Sequence, residues 1–170
     1  MGSSYRAPLD DMRFALYDVL GAQSLFAKLG FTDATRDVLD AVLDEAERFN
    51  ETVLAPLNEV GDGVGCTYDK ATGDVRTPPG FREAYQRYVE AGWMGLQCDP
   101  DYGGQGLPVS LAAAVVEMWN SASAAFGVGP VLTMAGIDAL ALHGSDALKQ
   151  TYLTKLVSGE WTGTMQLTEP

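Results

Sequence analysis

The sequence predicts a mainly α protein, a helical bundle that ends in a single strand. Three observations carry that prediction. Val38, Leu39, Val42, Leu43, Ala46, Phe49 and Val53 recur at intervals of three and four, with Asp37, Asp40, Asp44 and Glu47 on the opposite face. A small-residue stretch from about Val109 to Ala125 places Leu111, Val115, Met118, Trp119 and Ala122 on one side, and its alanines suit close helix packing. After the last helix, Trp161, Gly163, Met165 and Leu167 alternate with Thr162, Thr164, Gln166 and Thr168, which is the period of a strand.

The elements follow in order. Pro8 suits the first turn of a helix, Asp10 and Asp11 suit its positive end, and Gly21 closes it. Leu25, Phe26 and Leu29 form a short second helix ending at Gly30. Thr32 or Asp33 caps the long amphipathic helix, which runs to about Pro56. From Gly61 to Pro79 glycines break the pattern, and Cys66–Tyr68 facing Val75–Thr77 reads as a small hairpin. Phe81, Ala84, Tyr85, Tyr88 and Val89 mark a helix ending at Gly92, and a Gly- and Pro-rich loop runs from Trp93 to Leu107.

Gly127, Gly129 and Pro130 are expected to end the Ala-rich helix. Val131 to His143 then forms a separate helix, apolar all round and so fully buried. Ser145 caps the last helix, whose inner face is Leu148, Tyr152, Leu153, Leu156 and Val157, and Gly159 ends it.

Composition narrows the function. The 170 residues carry 23 acidic and 11 basic side chains, a formal charge of −12. That balance opposes binding to nucleic acid or to an anionic membrane surface, both of which require a basic footprint. No uninterrupted apolar run is read as long enough for a membrane span. Residues 1–4 read as an expression scar or a disordered start, without a signal core behind them. Cys66 and Cys98 make neither a disulfide framework nor a CxxC pair, which fits a reducing, cytoplasmic setting. A lone His143 at a helix end excludes a zinc constellation, so no metal site is expected.

Two motifs stand out. In the first, Gly92-Trp93-Met94-Gly95-Leu96 is followed by Pro100 and then by Tyr102-Gly103-Gly104-Gln105-Gly106-Leu107. Taken alone it favours a plain helix–helix connection, because no Lys-Ser/Thr follows to make a phosphate loop. The second runs from Gly159 to Pro170 and closes on Leu167-Thr168-Glu169-Pro170. An extended segment with free backbone groups and a threonine hydroxyl can hold a planar heterocycle, or can simply be a strand parted from its sheet.

The two motifs in this order, with helical texture between them, resemble the N-terminal part of an acyl-CoA dehydrogenase. Tyr5 to Phe14 and Val53 to Asn58 also resemble the extended subgroup that includes 3-methylmercaptopropionyl-CoA dehydrogenases. The resemblance implies a helical N-terminal domain of that type, ending in the first strand of a missing middle β-domain. Residues 5–60 would then be an N-terminal extension and first long helix, and 61–160 the remainder of the helical domain with a hairpin-like excursion near 66–77. Residues 161–170 would be the first strand of the truncated β-domain.

For function, the resemblance implies FAD-dependent α,β-desaturation of an acyl-CoA thioester, in fatty acid metabolism. Met165, Gln166, Leu167 and Thr168 correspond to the family's flavin contacts, and Phe126, Gly129 and Thr133 to the acyl pocket. The family's catalytic glutamate lies in a C-terminal domain, so no catalytic residue is assigned here and the segment by itself is expected to be inactive. Implied partners are the acyl-CoA substrate, an acceptor such as an electron-transfer flavoprotein, and further copies in a homodimer or homotetramer. Two other readings stay open: an acyl-CoA oxidase or nitroalkane oxidase-like flavoenzyme, and a non-catalytic helical interaction module.

Overall fold

The computed structural model describes residues 5–165. Helix α1 (Leu9–Arg13) runs directly into a π-helical turn at Phe14–Val19, and α2 covers Ala22–Lys28. Helix α3 (Arg36–Phe49) continues through a second π turn at Asn50–Leu54 into α4 (Ala55–Val64). Strands β1 (Thr67–Tyr68) and β2 (Val75–Arg76) pair antiparallel, with Thr67 opposite Arg76. Helix α5 (Phe81–Glu90) precedes two 3₁₀ turns at Trp93–Gly95 and Pro100–Tyr102. Helices α6 (Val109–Ala122), α7 (Ala124–His143) and α8 (Asp146–Val157) complete the described elements.

The mainly helical prediction and the hairpin agree with this order, and several boundaries do not. The cap of α3 is Thr35, whose Oγ1 accepts from the Val38 amide, rather than Thr32 or Asp33. Pro56 does not end the long helix. The wide π turn, in which the Ala55 amide donates to the Asn50 carbonyl, leaves Pro56 in the first turn of α4, where its missing N–H costs nothing. The helix therefore continues past Gly61 and Gly63 to Val64, and the irregular stretch starts at Gly65.

The break expected at Gly127–Pro130 falls instead at Ser123, where the backbone is extended (φ −157°, ψ 93°). Pro130 lies inside α7. Interior proline costs a helix about 3 kcal/mol, and the buried stripe of Phe126, Pro130, Thr133 and Ile137 offsets it. Joined in this way, α7 reaches 20 residues, and by length and composition alone it could cross a membrane, contrary to the sequence reading. Nor is it fully buried: Val128, Val131 and Leu142 are exposed. On α8, Leu153, Leu156 and Val157 are buried, whereas Leu148 and Tyr152 are exposed.

The core sits around α6, which packs on α3, on the Asn50–Leu54 turn and on α7, while α8 packs on α7. At its centre the Trp119 ring meets Tyr88 edge-on at 4.9 Å and Trp93 at 6.2 Å between centroids. Phe49 reaches both Tyr88 and Trp93, and Phe126 meets Tyr88 at 5.7 Å. Rings from α3, α5, the first 3₁₀ turn, α6 and α7 thus share one cluster.

A polar clamp holds the N-terminal helices to α3. Arg13 donates to Asp40 at 3.0 Å and pairs with Asp44, while the Tyr17 hydroxyl donates to Asp40 at 2.9 Å. Arg36 lies 3.6 Å from Asp40 and 4.3 Å from the centre of the Tyr17 ring. Burial opposes ionisation of Asp40, but the bonds from Tyr17 and Arg13 and the charges of Arg13 and Arg36 hold the carboxyl below its ordinary value. Burial and the bond to Asp40 push the Tyr17 hydroxyl up to about 12.

The Asp40 contribution is present above the ordinary aspartate range and is lost as pH falls through the lowered value. The Tyr17 contribution is present below the ordinary tyrosine value and is lost as pH rises through about 12. Asp40→Ala is expected to cost about 1–2 kcal/mol at neutral pH. Chemical denaturation of wild type and variant at pH 7 and pH 3 checks this, the difference between them shrinking at the lower pH.

Candidate functional site

The glycine-rich motif builds a loop that uses its own amides. Gln105 N donates to Gly95 O at 2.8 Å, Gly106 N to Cys98 O at 2.9 Å, and Leu107 N to Leu96 O at 3.0 Å. The Gln105 side chain donates to Gly92 O at 3.0 Å. A Cβ on Gly104 would stand 2.0 Å from the Cys98 carbonyl oxygen, so that position admits only glycine. These amides face back into the loop, which agrees with its reading as a connection and not as a phosphate cradle.

Cys98 is buried within this loop, and its Sγ lies 3.7 Å from the Met94 carbonyl. Burial, with a smaller effect of the Asp138 charge, pushes its thiol up to about 11, which makes it a poor nucleophile. His143 is exposed in the last turn of α7, and Glu117 faces outward from α6. Among the described residues no group of three His, Cys, Asp or Glu side chains is placed to hold a metal ion.

The site-forming feature is a cleft of about 870 Å³ between the hairpin, the start of α5 and the start of α7. Phe81 and Tyr85 supply one wall, and Phe126, Gly129 and Pro130 of α7 supply the other. Thr162, Gly163 and Thr164 run along its edge, and Arg76 and Arg82, both exposed, stand at its rim beside Glu83. Neither arginine has an ion-pair partner among the described residues. An apolar groove edged by hydroxyls, with Arg76, Arg82 and Glu83 also in its lining, suits a ligand that has an apolar part and a charged part.

The chain reaches this cleft under constraint. The Tyr85 hydroxyl donates to Gly159 O at 3.0 Å, and Trp161 N donates to Lys155 O at 3.0 Å. The Trp161 ring rests on Tyr152 (5.9 Å) and beneath the Lys155 ammonium (4.5 Å), which also meets Glu160 at 3.1 Å. Two residues on, Gly163 N donates to Thr133 Oγ1 at 3.1 Å.

Of the residues singled out in the sequence, Phe126 and Gly129 line the cleft, and Thr133 is fully buried behind it with its oxygen taken by Gly163. Met165 is half exposed and is not part of the cleft wall. Gln166, Leu167 and Thr168 lie outside the described residues. The strand expected from Trp161 to Thr168 is not formed over 161–165: that segment has no ladder partner among the described residues, and Gly163 bonds to a side chain instead.

Sequence reasoning missed the contributions of Arg76, Arg82, Phe81 and Pro130 to this cleft. Phe81 and Pro130 carried ordinary core and breaker signals. Arg76 on β2 and Arg82 on α5 read in sequence as ordinary exposed charges, and both line the cleft.

Residues 36–160 match the family described as the acyl-CoA dehydrogenase N-terminal domain. Among curated proteins the chain is 40% identical over 98% of its length to 3-methylmercaptopropionyl-CoA dehydrogenase of Ruegeria pomeroyi. It is 32% identical, again over 98% of its length, to a butyryl-CoA dehydrogenase of Syntrophomonas wolfei. It spans 28% of the length of each of those relatives. Among solved structures, a chain from work titled for the electron transferring flavoprotein of Acidaminococcus fermentans matches with a TM-score of 0.65 and 27% identity. That match covers 80% of this chain and 32% of the other. Butyryl-CoA dehydrogenase from Megasphaera elsdenii matches with a TM-score of 0.62 and 25% identity, covering 80% of this chain and 33% of the other.

Gly104→Ala is expected to destabilise the fold by about 2–4 kcal/mol, because the clash is with backbone and not with a mobile side chain. Gly103 has open space around it, so Gly103→Ala bears only the left-handed backbone penalty of about 1 kcal/mol. Paired denaturant titrations of the two variants measure the contrast.

Proposed function

Because this chain belongs to the family of acyl-CoA dehydrogenase N-terminal domains, we propose that it forms the helical wall of an FAD-dependent enzyme that desaturates an acyl-CoA thioester. The observation that carries the proposal is the cleft, in which apolar faces of α5 and α7 meet the threonine-bearing segment from Thr162 to Thr164. Phe126, Gly129 and Pro130 receive the acyl chain and exclude water from it. Thr162 and Thr164 offer the hydroxyls of that wall. Arg76 and Arg82 meet the anionic end of the thioester at the rim, where an overall charge of −12 would otherwise repel it.

FAD, when bound, supplies the acceptor for hydride leaving the β-carbon. The cleft fits the substrate side of a flavin assembly, with an apolar wall from Phe81, Phe126 and Pro130 and hydroxyls from Thr162 and Thr164. The direct contacts belong to Met165, Gln166, Leu167 and Thr168, of which only Met165 is among the described residues. No base for the α-proton is assigned to this chain. The proposal extends to a soluble electron acceptor of the electron-transfer flavoprotein kind and to a homodimer or homotetramer. The free thiols of Cys66 and Cys98 support a cytoplasmic setting.

The test is made on the product of the complete reading frame that encodes this chain. It is expected to purify with flavin and to reduce an artificial dye with acyl-CoA, with little oxygen uptake. A colourless protein without turnover overturns the proposal, and oxygen uptake without dye reassigns it to an oxidase. In the active protein, Arg76→Gln combined with Arg82→Gln is expected to raise KM for acyl-CoA about fivefold. The same acyl group on N-acetylcysteamine, which has no phosphates, should show no such change.

A further inference from the structure

We infer that Thr133 is a positioning residue, whose hydroxyl sets where the segment from Thr162 to Met165 crosses α7 and so which of its groups face the cleft. Thr133 has no exposed surface, an uncommon place for a hydroxyl on an otherwise apolar helix. Its Oγ1 accepts the Gly163 amide at 3.1 Å across 30 residues of sequence, and the hydroxyl points its proton towards Gly129 O at 3.4 Å. The contact is close in other atoms too: a Cβ on Gly163 would lie 3.4 Å from Thr133 Cα and 3.7 Å from Leu132 O. The segment therefore lies flat on the α7 backbone at this point.

The bond decides register. Trp161 is already tied to α8 through Lys155 O and the Tyr152 ring. Gly163 supplies the second tie, to a different helix, and the two together set the direction of the chain between them. Thr162 and Thr164, on either side of Gly163, both line the cleft. In extended chain a slip of one residue exchanges which side chains face which way. Valine matches threonine in shape but cannot accept this bond, whereas serine can. The inference rests on the proposed function only for what the positioned segment serves.

Amide exchange measured by NMR on the chain tests it. Thr133→Val is expected to speed exchange at Gly163 at least tenfold, with Thr164 and Met165 following and the amides of α6 unchanged. Thr133→Ser should restore rates near wild type. Equal exchange at Gly163 in wild type and Thr133→Val overturns the inference, as does a serine variant that behaves like valine. Should Thr133→Val fail to fold, Thr133→Ala removes the acceptor with a smaller side chain in the same place. It should then speed exchange at Thr164 and Met165, and unchanged rates there also overturn the inference. A parallel FAD titration of the complete gene product should show several-fold weaker binding in Thr133→Val and recovery in Thr133→Ser. Absence of FAD binding in wild type would overturn the proposed function, while exchange at Gly163 would still decide the positioning.

Discussion

The other elements take their places from an aromatic cluster centred on Tyr88, whose ring meets Phe49, Tyr85, Phe126 and the Trp119 ring of α6. It joins α3 through Phe49, α5 through Tyr88, the first 3₁₀ turn through Trp93 and α7 through Phe126. Each large ring removes roughly 150–250 Å² from water, so a handful of rings accounts for a large share of the apolar burial in a domain of this size. The geometry of tilted and edge-on pairs also fixes the angles at which their helices meet. Remove that cluster and α5, the glycine loop and α7 have no common reference.

The cleft is a consequence of that reference. Tyr88 and Phe126 pin α5 to α7, and Phe81, Tyr85, Gly129 and Pro130 line the cleft beside that contact. The ends of α5 and α7 are held at a fixed separation, and the hairpin closes the gap at one side. The loop from Gly92 to Leu107 contributes stiffness. Its glycines let the backbone fold over Cys98, and its amides are consumed internally. The glycine run, read in sequence as a plain connection, carries Trp93 into the aromatic cluster.

The surface divides along the same lines. The acidic face of α3 is neutralised locally, with Asp40 and Asp44 answered by Arg13 and Arg36, which bind the N-terminal helices to it. Exposed apolar side chains occur on α7 and α8, at Val128, Val131, Leu142 and Leu148, and on the N-terminal helices, at Phe14, Val19, Leu20 and Leu29. Helix α7, apolar on nearly every side, is buried along one stripe only.

The sequence by itself determined the helical class, most helix positions, the hairpin between Thr67 and Arg76, the cap at Ser145 and the family resemblance, because periodicity, capping and turn chemistry are local properties. The family resemblance assigned Phe126 and Gly129 to an acyl pocket, and the structure puts both on the wall of the cleft, on a helix where the sequence reading had a break. Tertiary structure decided that Pro56 opens α4 after a π turn, where no N–H is needed, and that Pro130 sits inside α7, where burial against distant residues offsets it. It likewise decided that Thr133 meets Gly163 and that Arg76 and Arg82 share one rim. No period or local propensity records a contact across 30 residues, because the energy of that contact exists only once both helices have been placed by the core.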